Sequence, residues 1–206
     1  MKWADLLTSM GEEPVFASSA LLAGQGSPEG LRVQLARWCR SGRLVPLRRG
    51  VYLLGVPYRK RHPHPFTIAN SLRRASYVSL QSALAHHGLI PESVPSVTSV
   101  TTGRPGEFRT PEGHHIFRHI QRSLFAGYRR IEVSPGQAAF VATPEKALLD
   151  LIYLTPGGDE TAFLDALRLQ NRERLDGARL ACLAEASGVP KLFRAIRRLA
   201  ACIDRP

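Results

Sequence analysis

Cysteine is scarce in this 206-residue chain, with three in all. Cys39, Cys182 and Cys202 lie far apart and form no CxxC pair, which argues against a disulfide scaffold and against a structural zinc site. Long apolar runs are missing too, and none approaches the length that spans a bilayer. The opening MKWADLLTSMGEEP lacks the apolar core of a secretory signal, so a cytoplasmic protein with no membrane partner is expected. Lysine is nearly absent, and arginine, which suits bidentate contacts to phosphate and guanine, carries the positive charge. Acidic residues are in deficit: 17 Asp plus Glu stand against 28 Lys plus Arg, a net charge of +11. A surplus of that size points to a polyanionic partner, because basic side chains displace the counterions condensed on phosphates.

The remaining composition, 44% apolar and 22% charged, is that of an ordinary globular protein of one large or two small domains. The charge is unevenly placed. Residues 1–61 hold ten Lys/Arg and four Asp/Glu, whereas residues 62–206 hold eighteen and thirteen. The first stretch is more than twice as basic per residue.

That stretch also carries the most ordered pattern. Trp3, Leu6, Leu7 and Met10 recur at helical spacing, and Val15-Phe16 suits a short strand. Ser18 or Ser19 caps a brief helix through Ala23, and Gly24-Gln25-Gly26 supplies a turn. Ser27 is an N-cap, Pro28 takes the first helical position, and the helix runs to about Ser41 with Gly42 as its stop. On the helical wheel Leu31, Leu35 and Trp38 share one side, while Arg32, Val33, Ala36, Arg37 and Arg40 share the other. Small residues among long donors suit a helix that enters a major groove. Residues 43–47 and 51–54 then form strands around Arg48-Arg49-Gly50, with Pro46 suited to an edge strand. Helix, turn, capped helix and hairpin make a winged helix-turn-helix. Its expected partner is double-stranded DNA, contacted through Ser27, Arg32, Val33, Arg37, Arg40, Arg48 and Arg49.

The Pro-, Arg- and His-rich residues 58–65 read as a linker between a winged helix (1–57) and a mixed domain (66–206). The second part alternates short helices and β-branched strands and closes on helices, so the whole chain is expected to be α+β. Strands are predicted at 96–102, 114–120, 128–133 and 138–141. Helices are predicted from Phe66, from Ser79 to His86 or His87, from Thr143 to Leu154, and at 160–169, 175–186 and 190–201.

Two stretches of the second part, YVSLQSALAHHGLIP (Tyr77–Pro91) and TPEKALLDLIYL (Thr143–Leu154), together with the preceding RRGVYLL, resemble the AbiEi family of type IV antitoxins. The resemblance implies a transcriptional autorepressor of a phage-defence operon whose second domain counters a nucleotidyltransferase-like toxin without a stable complex. It places DNA contacts at Ser27, Arg32, Arg37, Arg48 and Arg49. It implies no catalytic residue and no cofactor. A winged-helix regulator without antitoxin activity is the alternative, and a metal-dependent nuclease a further one.

Seven histidines (His62, His64, His86, His87, His114, His115, His119) show no HExxH-like density, so no metal site is expected. A nuclease needs clustered carboxylates to hold its ion. Glu145 and Asp150, five residues apart on one helix, point to different faces, and Asp150 reads as solvent-facing. Ser79 and Ser82 read as helix-start residues.

Overall fold

The computed structural model describes residues 1–21, 27–91 and 94–203, with residues 200–203 described by backbone only. Helix α1 (Trp3–Met10), strand β1 (Phe16–Ala17), α2 (Ser18–Leu21), α3 (Pro28–Arg40), β2 (Leu44–Arg48) and β3 (Val51–Leu54) follow in the order of a winged helix-turn-helix. The predicted end of the α2 helix at Ala23 and the turn at residues 24–26 lie outside the described residues. The three strands form an antiparallel sheet in the order β1-β3-β2. Pro46 therefore sits on an edge strand, where a missing N–H is tolerated. Gly50 closes the two-residue turn with φ +83°, a backbone region that glycine enters without cost.

Strand β3 reads Val-Tyr-Leu-Leu, a nearly unbroken apolar run, because both of its faces are covered. Tyr52 and Leu54 point into a core with Leu6, Phe16, Leu35 and Trp38. Val51 and Leu53 point the other way and join Leu47 in the core of the second part of the chain. The wing is thus backed by the rest of the molecule. Trp3 completes the first core, meeting Trp38 edge-on at 5.1 Å and Tyr58 at 5.0 Å.

Residues 58–65, expected to be a linker, are fastened to the second sheet. Arg59 Nη1 donates to Glu112 at 2.9 Å, the His64 N–H donates to Gln137 Oε1 at 2.8 Å, and Gln137 Nε2 donates to the His62 carbonyl at 2.9 Å. His64 then caps α4 (Pro65–Leu72), its Nδ1 accepting from the Phe66 N–H at 3.2 Å.

The second part comprises β4 (Ser76–Val78), α5 (Leu80–His86), β5 (Ser96–Thr101), β6 (Gly106–Thr110), β7 (Gly113–His119), β8 (Tyr128–Ser134), β9 (Gln137–Ala142), α6 (Pro144–Leu154), α7 (Thr161–Ala166), α8 (Gly177–Ser187) and α9 (Pro190–Ile203). Its mixed sheet runs β6-β7-β5-β4-β9-β8, with β5–β7 and β4–β9 parallel. Helix α6 is the hub: it packs on α5, α8 and α9, and every residue from Glu145 to Ile152 is buried. The molecule is an α+β protein in which a winged helix-turn-helix arrangement precedes a mixed region ending in helices. Strands β4 and β6 had no counterpart in the sequence reading.

Candidate nucleic-acid interface

The local chemistry of α3 explains its placement. Ser27 Oγ accepts from the Gly30 N–H at 3.0 Å, satisfying one of the helix's free N-terminal donors, and Pro28 follows at a position that needs no N–H. Leu35 and Trp38 are buried and Leu31 is half-buried, so the apolar side anchors the helix on the first core. Arg32, Val33, Ala36, Arg37 and Arg40 are exposed, and Val33 is 60% exposed although apolar. Among the described residues, none of Arg32, Arg37, Arg40, Arg48 or Arg49 forms an ion pair with an acidic side chain.

Between α3 and the hairpin runs a groove of about 800 Å³. Leu31, Leu35, Cys39, Pro46 and Tyr52 line it with apolar surface, and Arg32, Arg40, Arg48 and Arg49 complete its walls. The turn that presents Arg49 is pinned to α2, since the Ser18 N–H donates to the Gly50 carbonyl at 2.9 Å. Arg49 is exposed, whereas Arg48 is half-buried and donates to the Arg49 carbonyl at 3.3 Å. Six of the seven residues proposed from sequence therefore lie on α3 or the wing tip, and Ser27 caps that helix.

The sequence reading missed a second polar constellation, and it misplaced two of the members. Asp150, read as solvent-facing, is 1% exposed. Its carboxylate accepts from Ser79 Oγ at 2.7 Å, from Tyr77 OH at 3.0 Å and from Lys146 Nζ. Ser79 precedes α5 but does not cap it with its side chain. Leu80 takes φ +57°, a left-handed conformation worth about 1–2 kcal/mol of strain, and the Ser79 hydroxyl turns to Asp150 instead. Burial raises the Asp150 carboxyl pKa, while Lys146, Ser79 and Tyr77 pull it down; burial and the neighbouring Asp150 charge raise the Tyr77 phenol. Tyr77 and Ser79 are wholly buried. The cluster ties β4 to α6 through these hydrogen bonds.

Glu145 is likewise turned inward, accepting from the Asp176 N–H at 3.1 Å. The two α6 carboxylates are each enclosed by their own partners and do not face a common ion. Among the described residues, no group of three or more His, Cys, Asp or Glu side chains is placed to hold a metal ion. The histidines are dispersed in role. His87 Nε2 lies 2.8 Å from the Ala142 carbonyl, and His114 pairs with Glu107 across the β6–β7 hairpin at 2.9 Å. His115 is fully buried with neither ring nitrogen bonded, and burial, then His114, pulls its imidazole down to about 4. No helix among the described residues is long and apolar enough to cross a membrane.

No protein-family model matches this chain, and no curated protein matches it. Its fold is similar to the crystal structure of the RV2827C protein from Mycobacterium tuberculosis, with a TM-score of 0.57 and 18% identity over 96% of this chain and 76% of that one. At that identity the likeness establishes the shared fold: a winged-helix arrangement followed by a mixed α/β region that ends in helices.

Proposed function

We propose that this chain is a DNA-binding transcriptional regulator that recognises an operator through its winged helix. The observation that carries the reading is the α3 outer face, an exposed run of three arginines, one valine and one alanine with no acidic partner among the described residues. Helix α3 enters the major groove, where Arg32, Val33, Arg37 and Arg40 meet base edges and phosphates. Arg48 and Arg49 grip the flanking backbone or minor groove, and Ser27 lies where the helix N-terminus approaches a phosphate. Repression follows from occlusion of the promoter. In a gel shift with the chain's own upstream DNA, repeated across salt, affinity should fall steeply with ionic strength. Each phosphate contact removed should flatten the log–log slope by about 0.9. Arg48→Ala with Arg49→Ala should therefore lower both affinity and slope; an unchanged slope would remove the wing from the interface.

A finer reading adds antitoxin activity against a nucleotidyltransferase-like toxin. It draws support from the two stretches that resemble the AbiEi family, which meet in the fold as the Tyr77/Ser79–Lys146/Asp150 cluster. Co-expression with the product of the adjacent gene tests it. Rescue from toxicity by the full chain carrying Arg32→Ala and Arg37→Ala, which disables the DNA face, is the expected result. Loss of rescue together with loss of DNA binding would leave the regulator alone.

A further inference from the structure

The second part of the chain holds a cavity of about 350 Å³ that DNA binding does not use. It lies where the start of α4, one side of α5 and the first residues of β5 and β7 come together. Phe66, Pro65, Ala85, Pro95 and Val97 give it apolar walls, and His64, His86 and His115 add imidazoles. Its size is at the small end of ligand pockets, which suits a molecule of one or two rings.

His115 is the residue that needs explaining. It sits on β7 opposite Val97 of β5 and Phe108 of β6, wholly buried, and both ring nitrogens lack a hydrogen-bond partner among the described residues. An unpaired buried polar group costs about 1–3 kcal/mol, and a phenylalanine or leucine would avoid that cost. An imidazole retained there is accounted for by a partner that brings its own polar atoms.

We propose that this cavity binds a planar, uncharged nitrogen heterocycle of the nucleobase class, with His115 as its polar anchor, and that the winged helix senses its occupancy through Glu112 and Arg59. A neutral imidazole offers one donor and one acceptor, the complement of the alternating donors and acceptors on a nucleobase edge. Phe66 meets the His64 ring edge-on at 5.0 Å and the His86 ring at 5.4 Å, so this side of the cavity is an aromatic wall against which a ring can pack. The carboxylate of the wall is already matched, Glu112 having Arg59 at 2.9 Å, and the His114 ring already bonds to Glu107 at 2.9 Å. An ionic ligand would lose its hydration and find no free counter-charge, so an uncharged one is favoured. The line to the winged helix is short. Glu112 lines the cavity, Arg59 Nη1 bonds to it, and Arg59 Nε donates to the carbonyl of Leu54, the last residue of β3, at 3.1 Å. This sensing rests on the DNA-binding reading, whereas the binding site does not.

Isothermal titration of the full chain with adenine, hypoxanthine, cytosine and uracil tests the site. Saturable binding of at least one base is expected, weakened about tenfold to a hundredfold by His115→Phe, which keeps a ring but no polar atom. Ala85→Trp, which places a bulky side chain in the cavity and leaves residue 115 unchanged, should also abolish it. Binding of none of the four, or binding unaltered by both variants, overturns the site. Zn²⁺ or Ni²⁺ binding that depends on His115, with no base bound, overturns it in favour of a metal centre. For the sensing, the base that binds should change operator affinity in the wild type but not in Arg59→Met, which still binds it; equal operator affinity with and without base overturns the coupling. A chain that binds no DNA refutes the regulator reading and the coupling with it, while the titration still decides the cavity.

Discussion

Asp150→Ala should destabilise the protein by about 3–5 kcal/mol in urea unfolding, a large share of the roughly 5–15 kcal/mol that holds an average domain together. The reason lies in what the carboxylate leaves behind. Lys146 is 6% exposed, and without Asp150 its ammonium stays buried with no counter-charge. The hydroxyls of Tyr77 and Ser79, both at 0% exposure, lose their acceptor in the same step. Replacing the charged pair together, Lys146→Met with Asp150→Leu, should recover much of the loss, because a well-packed apolar pair avoids the desolvation of two ions. The recovery should be incomplete, since two buried hydroxyls remain unpaired at about 1–3 kcal/mol each. A loss below about 1 kcal/mol for Asp150→Ala, measured with an unchanged dependence on urea, would mean that the cluster is not what joins β4 to α6.

This cluster also marks the boundary of what the sequence makes legible. Local signals carried well: Thr143 caps α6 through its side chain, as Ser27 caps α3. The wheel of α3 separates Leu35 and Trp38 from the arginines because a helix repeats every 3.6 residues whatever surrounds it. Asp150 was misjudged because its partners Tyr77 and Ser79 lie more than seventy residues away, where no periodicity reaches. Lys146, four residues before it, was the one local hint. Strand β4 escaped because it is three residues long and buried throughout, and β6 because Gly106 and the preceding proline read as a turn. The double burial of β3 was written in Val51–Leu54 as a run without polar alternation. Its meaning needed the second core, which only the fold supplies.

For the proposed interface the largest effect is expected from α3. Arg32→Ala, Arg37→Ala and Arg40→Ala combined should remove specific binding at moderate salt. If all three meet phosphates, the log–log salt slope should fall by about 2.7, three times the 0.9 of one contact. The three side chains are exposed and unpaired among the described residues, so their loss should leave the unfolding midpoint nearly unchanged. That separates a binding defect from a folding defect. Arg37 alone distinguishes reading from gripping. If it bonds a guanine edge, Arg37→Ala should cost about 1–3 kcal/mol on the cognate site and relax the preference at one base pair. If it meets only phosphate, cognate and random DNA should weaken together. Val33 shares its face one turn away, and an exposed apolar side chain there suits a thymine methyl group. Replacing individual thymines of the operator by deoxyuridine should then weaken the wild type at one position and leave Val33→Ala indifferent. Equal weakening of both proteins at every position would show that Val33 reads no base, and would leave α3 as a phosphate-gripping helix whose specificity lies in the shape of its operator.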